Sequence, residues 1–331
     1  MPALRPICQT KLTWETLEMP IERLNNGANI SYFDNGNAND ACQTLVFVHG
    51  WGLNGDAFWA QHELGNKYRI IIPDLRGCGK SINDDKNITI EDLGCDVFLL
   101  IEKLQLKNVH IVAWSMGAMA IWCAFQNYQN ENINSYTFID MSPKISNEID
   151  WENGILGLKS LDTEIGRERF EKSIQNMRND WNNFANRMVG RILANGEMNE
   201  NSTEIYNKLY EISKNADAEI MAHLWCELSE CDARKNIALN EIPSLLIYGL
   251  KNQLYSNKVG EYVAANMPNS FLVQFANSGH APHLEEATSF NKILDGFIES
   301  VIKIDANQTN IKFLINEENK GNGSFFAQIG Q

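Results

Sequence analysis

Long apolar runs, closely spaced cysteine pairs and an excess of basic residues are all missing from this sequence. The first residues, MPALRPICQTKLTWE, contain no apolar stretch of signal-peptide length. No later run approaches the roughly 20 apolar residues that a helix needs to cross a bilayer. We therefore expect no membrane association.

The cysteines are too scattered to indicate a disulfide framework or a zinc site. None of the seven lies in a C-x-x-C pair, the spacing typical of zinc sites and redox pairs. Reduced thiols are the rule in the cytoplasm, so we expect a cytoplasmic protein with no metal site. The seven are Cys8, Cys42, Cys78, Cys95, Cys123, Cys226 and Cys231.

Acidic residues outnumber basic ones by 42 to 28, which gives a formal net charge of −14. A negative field of this size repels phosphate backbones, so nucleic acid is not an expected partner. The same field opposes an acidic protein partner unless basic side chains gather locally.

Short apolar runs alternate with stretches of helical periodicity. NISYFD alternates like a half-buried strand, whereas the later runs are continuous and each ends in a turn signal. Strands buried on both faces have this composition, and helices between them indicate a mostly parallel sheet flanked by helices, an α/β fold. The later runs are TLVFVHG, YRIIIPDL, NVHIVAW, SYTFID, PSLLIYG and SFLVQF, and the last is followed by a predicted helix, ATSFNKILDGFIESVIK.

A long helical segment interrupts the predicted sheet between SYTFID and PSLLIYG. In it Phe170, Ile174 and Met177 recur at helical spacing. We expect this segment to form a lid over the strand ends, where α/β sheets hold their sites. The predicted organisation is a core of residues 1–150 and 236–304, a helical lid of residues 151–235 before the penultimate strand, and a polar, weakly ordered tail of residues 305–331.

A serine follows a central apolar run in HIVAWSMGAMAIW, and small residues come after it. Strand, sharp turn and helix in this order are the setting of the G-x-S-x-G nucleophile elbow. Here the match runs from Ala113 to Gly117, with alanine in place of the first glycine and Ser115 at the centre. The alternative is a buried hydroxyl in an ordinary strand–helix turn.

A second segment, VFVHGWGLNGDAFW, places His-Gly at the end of another predicted strand. Folds with a nucleophile elbow build the oxyanion hole there, from a loop N–H and the N–H of the residue after the nucleophile. The predicted donors are the backbone amides of Trp51, which follows Gly50, and of Met116. The alternative for His49 and Gly50 is a simple turn.

A general base is expected after the last strand, in the segment NSGHAPHLEEA. In folds with this elbow the order along the chain is nucleophile, acid, histidine. His280 fits that position. His283 is the alternative, but its neighbours PHLEE indicate that it opens the following helix.

Together, HGWGLN, DLRGCGKS, AWSMGA, YGLKNQLYS and GHAPHLEE resemble the serine α/β-hydrolases. The likeness is greatest to the pimeloyl-acyl-carrier-protein methyl ester esterases, which carry a tryptophan after the His-Gly, as Trp51 does here, and a W-S-x-G elbow. The resemblance implies an α/β-hydrolase fold and Ser-His chemistry without a cofactor. It also implies an ester substrate that is a small molecule or is linked to an acyl carrier protein.

The resemblance breaks at the acid that would orient the histidine. The family has Y-G-x-x-D after the penultimate strand, whereas this sequence has YGLKN, with Asn252 at the acid's position. An asparagine can present its N–H₂ to the imidazole and favour the wrong tautomer, a change that costs about 10⁴ in kcat in a serine protease.

Three explanations of Asn252 are open. Asp140, at the end of SYTFID, can serve as the acid, and its alternative role is a helix cap or a salt bridge. Asn252 can itself be a weaker orienting group. Finally, Asn252 can be an introduced change or the mark of a protein that has lost catalysis. We expect Ser115, His280 and Asp140 to act together, with Asn252 at the family's acid position.

The predicted lid offers the local positive charge that an acidic carrier protein would need. Acidic residues are interleaved with the basic ones, so ion pairs on a solvated helix are the alternative. The apolar residues Trp151, Phe170, Trp181 and Phe184 could line an acyl pocket or only pack the lid onto the core. The basic residues are Arg167, Arg169, Lys172, Arg178, Arg187 and Arg191.

These observations predict a serine carboxylesterase that works through an acyl-enzyme. The most specific hypothesis is demethylation of pimeloyl-acyl carrier protein methyl ester, a step of biotin synthesis. A general short-chain carboxylesterase is the alternative. A ligand-binding protein with a decayed hydrolase site is the rival from another class, and only Asn252 favours it.

Overall fold

The computed structural model describes residues 19–37, 43–81, 87–128, 131–196, 198–305 and 328–329. These residues form strands β1 to β9, which lie in the order β1-β2-β4-β3-β5-β6-β7-β8-β9 along one sheet. The six strands from β4 to β8 in that order are parallel, and β1, β2 and β9 are antiparallel at the two edges. The strands span Ile21–Arg23, Asn29–Asp34, Thr44–Val48, Arg69–Pro73, Val109–Trp114, Ile133–Ile139, Ser244–Gly249, Ser270–Phe275 and Gln328–Ile329.

Helices lie on both faces of the sheet and at its carboxyl edge. The α-helices α1 to α9 span Ile90–Lys103, Met116–Ala124, Glu164–Asn179, Trp181–Ile192, Glu200–Ser213, Ala218–Glu230, Lys258–Asn266, Pro282–Glu285 and Ala287–Asp305. Two 3₁₀ segments span Gly55–Asn66 and Asn236–Leu239.

The pleat of the central strand β5 divides the hydrophobic core into two layers. Ile111 and Ala113 belong to a cluster with residues of α1, α2 and α7, whereas Val112 and Trp114 belong to a cluster with α9 and the segment Gly55–Asn66. Successive side chains of a strand point to opposite faces, so a strand that is apolar throughout is buried on both sides. The continuous apolar runs of the sequence have this origin.

Helices α3 to α6, called the helical insertion below, lie between β6 and β7 in the chain. The first two are separated at Asp180, whose φ of −152° and ψ of 74° leave the helical region. Its side chain accepts the N–H of Asn183 and caps α4. Thr163 caps α3 in the same way by accepting the N–H of Gly166.

The predicted apolar runs correspond to β2 through β8, the final predicted helix is α9, and the periodicity after β6 corresponds to the helical insertion. The sequence did not predict β1 and β9, which have three and two residues and are strands because a neighbour pairs with them. The boundaries of core and lid stay a prediction. Residues 306–327 and 330–331 of the predicted tail lie outside the described residues.

No helix in the described ranges is long and apolar enough to span a bilayer.

Candidate active site

The candidate nucleophile, Ser115, occupies a strained turn between β5 and α2. Its backbone angles are φ 54° and ψ −122°, outside the regions that residues with a Cβ normally adopt, and such strain clusters at functional sites. Gly117 lets the turn pack against β3, because a Cβ there would lie 2.5 Å from the carbonyl oxygen of Val48. Ala113, in place of the motif's first glycine, pairs with Val48 inside the sheet. The turn has the geometry of a nucleophile elbow.

The loop after β3 is held by His49, whose side chain has no role in the sequence-based prediction. Its Nε2 accepts the N–H of Leu75 at 3.0 Å, so Nδ1 carries the proton and donates to the carbonyl oxygen of Gly50 at 2.9 Å. Burial lowers the pKa of His49 to about 4, so the ring is neutral at pH 7. This ring fixes the direction of the Gly50 carbonyl and therefore of the next amide.

The predicted oxyanion donors come from the loop after β3 and the first turn of α2. In the described part of the chain, neither the N–H of Trp51 nor that of Met116 donates a hydrogen bond, so both can bind an oxyanion. Gly50 brings the loop against the nucleophile, since a Cβ there would lie 3.2 Å from the Cβ of Ser115. The N-terminal partial charge of α2 also favours a negative oxygen at this place.

The candidate base, His280, contacts Asp140 across 140 positions of sequence: Nδ1 lies 2.9 Å from Oδ1. The two residues are only 3% and 0% exposed. The second carboxylate oxygen accepts the N–H of Gly249 at 2.9 Å. The His280 backbone N–H donates to the carbonyl of Ile192 at 2.7 Å, and its carbonyl accepts the indole N–H of Trp114 at 2.8 Å. Asp140 therefore holds the proton on Nδ1 and leaves Nε2 as the acceptor.

Asn252 contacts Asp140 instead of His280. Its Nδ2 donates to Oδ1 of Asp140 at 2.5 Å, and its Oδ1 accepts the N–H groups of Leu254 at 2.8 Å and Tyr255 at 3.3 Å. Within the described residues Asn252 makes no hydrogen bond to the imidazole. Of the three explanations of Asn252, this geometry favours Asp140 as the acid, with the asparagine amide holding the carboxylate.

Ser115 and His280 line one cavity of about 510 Å³. In the ranges that the structure describes, Oγ of Ser115 forms no hydrogen bond to the imidazole. Such contacts are often long before substrate binds and tighten in the substrate complex. The cavity places both side chains within reach of one bound molecule.

The cavity wall is largely aromatic, and Trp51 connects it to the helical insertion. The indole N–H of Trp51 donates to the carbonyl of Met221 at 3.0 Å, and its ring lies 4.9 Å from that of Trp225 and 5.4 Å from that of Trp181. The residue that follows the His-Gly therefore packs under the insertion while its amide faces the candidate oxyanion hole.

The apolar residues of the predicted lid divide between the two roles that the sequence left open. Phe170 and Phe184 line the cavity. Trp151 packs on the ring of Tyr262 at 4.7 Å, and Trp181 stacks behind the wall, 6.1 Å from the ring of Phe184.

Four basic residues and no acidic one line the cavity, although the chain carries a net charge of −14. Among the described residues none of the four forms an ion pair with a carboxylate. By contrast Arg178, also on α3, pairs with Glu219 at 2.9 Å and is not a lining residue. From the sequence, the alternative role of the basic residues is to form ion pairs along a solvated helix. No such pair forms within α3 or α4 in the described ranges. The four lining cations are Lys159, Arg169, Arg187 and Arg191.

The alternative histidine, His283, lies in the short helix α8 and is fully buried. The ring of Trp114 lies 4.4 Å away and that of Phe58 5.2 Å away. Among the described residues neither ring nitrogen has a hydrogen-bond partner. Burial, with the nearby His280 as a smaller contribution, lowers the pKa of His283 well below its usual value. The ring is a neutral packing group outside the cavity lining.

Replacing His283 with leucine should leave the hydrolysis rate within about threefold of wild type, since the ring takes no part in proton transfer. The unfolding free energy at pH 7 should rise by about 1 kcal/mol, because two buried nitrogens without partners are removed. Denaturant unfolding and ester hydrolysis measure the two effects. His280→Ala is the matched variant, and a loss as large in His283→Leu as in His280→Ala would move the base to His283.

Comparison with known proteins identifies this architecture. A family model described as the alpha/beta hydrolase fold matches residues 43–287. The 3-oxoadipate enol-lactonase 1 of Acinetobacter baylyi is 25% identical over 287 residues, which cover 83% of this chain and 95% of that protein. A pimeloyl-acyl-carrier-protein methyl ester esterase of Aliivibrio fischeri is 25% identical over 261 residues, covering 77% and 93%.

Among solved structures, an esterase from Exiguobacterium antarcticum superposes with a TM-score of 0.75 at 21% sequence identity, covering 86% of this chain and 100% of that chain. This likeness confirms the predicted mostly parallel sheet with flanking helices.

Proposed function

The chain belongs to the α/β-hydrolase fold family, and on that premise we propose that it is a serine carboxylesterase that works through an acyl-enzyme. Its relatives are hydrolases and include an enol-lactonase and a methyl ester esterase. The observation that carries the proposal is the buried contact of 2.9 Å between His280 and Asp140, in a cavity that also exposes Ser115.

The first half of the reaction acylates the serine. Nε2 of His280 takes the proton of Ser115 as Oγ attacks the ester carbonyl. The negative oxygen that forms is bound by the amides of Trp51 and Met116. When the tetrahedral intermediate collapses, the bond to the alcohol oxygen breaks and His280 gives its proton to the leaving alcohol.

The second half repeats these steps with water. His280 takes a proton from water, and the resulting hydroxide attacks the acyl carbonyl. The collapse breaks the bond to Oγ, returns the proton to Ser115 and releases the carboxylic acid. Asp140 keeps the ring oriented and stabilises the imidazolium in both halves. The burial of this carboxylate against the ring argues against a decayed site, because burying a charge is costly and His280 is one of the groups that compensate it here.

For the substrate we propose an ester that is linked to an acidic acyl carrier protein, with pimeloyl-acyl carrier protein methyl ester as the specific candidate. Two observations support this choice. An esterase named for that substrate is 25% identical over most of its length. The cavity of this acidic chain also collects four cations that form no ion pair with a carboxylate of the described residues, and an acidic partner or a phosphate-bearing tether would neutralise them.

Reversing two of the lining cations, in Arg169→Glu with Arg187→Glu, should raise KM for the carrier-linked ester by about tenfold, a loss of about 1.4 kcal/mol. The KM for a neutral p-nitrophenyl ester should change less than about twofold, because this substrate carries no charge for the arginines to bind. Steady-state kinetics at two salt concentrations measures both. The control is Lys172→Glu, which reverses a charge on α3 away from the cavity lining. Equal effects of these variants on the carrier-linked ester would contradict the cation site.

The decisive test of the substrate is rescue of a biotin-requiring bacterial strain that lacks its own esterase. Growth with the wild-type chain and none with Ser115→Ala supports the carrier-linked ester. Failure of rescue together with hydrolysis of p-nitrophenyl butyrate supports the second candidate, a short-chain carboxylesterase, which the apolar cavity wall favours. We place the enzyme in the cytoplasm, where reduced thiols are stable, since the five described cysteines are all unbridged.

A further inference from the structure

The end of α4 forms hydrogen bonds with the loop that carries His280 and with the loop that carries Asn252. The carbonyl of Ile192 accepts the backbone N–H of His280 at 2.7 Å. The carbonyl of Leu193 accepts the side-chain amide of Gln253, next to Asn252, at 2.9 Å. The helical insertion therefore contacts these two loops at the end of α4, through its own backbone carbonyls.

Glu285 lies at this junction. Its Oε2 accepts the N–H of Ala194, just after α4, at 2.6 Å. Its Oε1 accepts the N–H of Gly279, just before His280, at 2.8 Å. The two backbones are in contact here, since a Cβ on Gly279 would lie 2.5 Å from the carbonyl carbon of Leu193. One carboxylate thus bridges the insertion and the loop of the base.

We propose that Glu285 is a positioning residue that couples the helical insertion to His280. Helix α4 supplies Phe184, Arg187 and Met188 to the cavity wall. Substrate that binds against α4 therefore affects the position of Ala194, whose N–H is bonded to Glu285. The same carboxylate accepts the N–H of Gly279 and so fixes the backbone next to His280. Glu285 does not line the cavity and touches no reacting atom. The inference rests on the proposed serine esterase chemistry and adds a residue that its mechanism does not use.

The charge of Glu285 is sensitive to pH near neutrality. Burial, with a smaller contribution from Asp140, raises the pKa of its carboxyl to about 7 against the opposing effect of the N–H donors. No lysine or arginine of the described ranges forms an ion pair with it. Below this pKa one oxygen carries a proton and competes as a donor, so the bridge weakens. The charged or titratable groups on the adjoining elements are Asp140, Arg191, Lys251, His280, His283 and Glu286.

The variant Glu285→Gln tests the bridge, because its amide can accept only one of the two N–H groups. We expect kcat for p-nitrophenyl butyrate to fall about tenfold with KM within about twofold, since positioning acts on the transition state. The acidic limb of the kcat profile should show two ionisations in wild type and one in the variant. The control is Glu286→Gln, which alters the neighbouring carboxylate bonded to Ser278 at 2.5 Å and not to the insertion.

A second measurement needs no turnover. Amide hydrogen exchange of peptides that contain Ala194 and Gly279 should be faster in Glu285→Gln than in wild type. In Glu286→Gln the exchange at Ala194 should be unchanged, because Glu286 accepts the N–H of Asn277 and makes no contact with Ala194 among the described residues. Exchange that is unchanged in Glu285→Gln, or a kcat and pH limb equal to those of the control, overturns the inference. A wild-type rate no higher than that of Ser115→Ala overturns the proposed function instead, and the exchange data still decide whether the bridge exists.

Discussion

Replacing Ser115 with alanine should lower kcat for p-nitrophenyl butyrate by about 10⁴- to 10⁶-fold, the range found when the nucleophile of a serine hydrolase is removed. In the proposed mechanism Oγ of Ser115 attacks a carbonyl held by the amides of Trp51 and Met116, so we expect no other described residue of the cavity to form the acyl-enzyme. The hydrolysis rate that remains should be the one that substrate binding and oxyanion stabilisation provide without a nucleophilic serine. Stopped-flow and steady-state absorbance measure the loss.

Two controls make this result specific to the nucleophile. Ser173→Ala removes a second hydroxyl of the same cavity and should keep the wild-type rate within about threefold. A fluorophosphonate should add its mass to the wild-type chain at the peptide that contains Ser115 and should not label Ser115→Ala. Activity in Ser115→Ala equal to that in Ser173→Ala would exclude the serine esterase.

Replacing Asp140 with asparagine should lower kcat by about 10⁴-fold, or about 5.5 kcal/mol of barrier, as in the comparable serine protease change. An asparagine at this position must accept the N–H of Gly249 with its oxygen. Its N–H₂ then faces Nδ1 of His280 and favours the tautomer in which Nε2 carries the proton. The pH–rate profile and kcat at saturating substrate measure the effect.

The neighbouring position offers a matched rescue. Asn252→Asp, added to Asp140→Asn, returns a carboxylate to the position where related enzymes carry it, so we expect the double variant to recover at least about tenfold over Asp140→Asn. Asn252→Asp alone should lower activity, because two carboxylates at a contact of 2.5 Å cannot both be ionised without repulsion. Activity of Asp140→Asn within tenfold of wild type would show that Asp140 is not the acid.

The strands were accessible to sequence reasoning because their signal is local. A run such as NVHIVAW places apolar side chains on both faces of β5 because both faces are covered, and its composition indicates that burial directly. The edge strands β1 and β9 could not be predicted from the sequence, because segments of two or three residues show no periodicity. They are strands because they pair with a neighbouring strand. The elbow at Ser115 was visible because strand, turn and helix adjoin in the chain.

The partners of the histidine were less accessible. The order of elements along the chain leads to His280, but no local pattern distinguishes Asp140 from Asn252 as its neighbour. Side chains at the ends of adjacent parallel strands meet at one edge of the sheet, so both positions are reasonable. The directions of the side chains distinguish the two positions. The carboxylate of Asp140 contacts Nδ1 of His280, and the amide of Asn252 donates to that carboxylate.

By itself the sequence determined the α/β-hydrolase fold, and it predicted the elbow around Ser115, the oxyanion loop at Gly50 and Trp51, and His280 as the base. These features depend on short segments whose residue types are constrained by their own backbone, such as the close approach that requires Gly117. The tertiary structure alone decided that Asp140 faces the imidazole, that four cations share the cavity, and that Glu285 bridges the insertion to the base. Each of these is a contact between distant segments, and such contacts depend on side-chain direction and packing that no local pattern records.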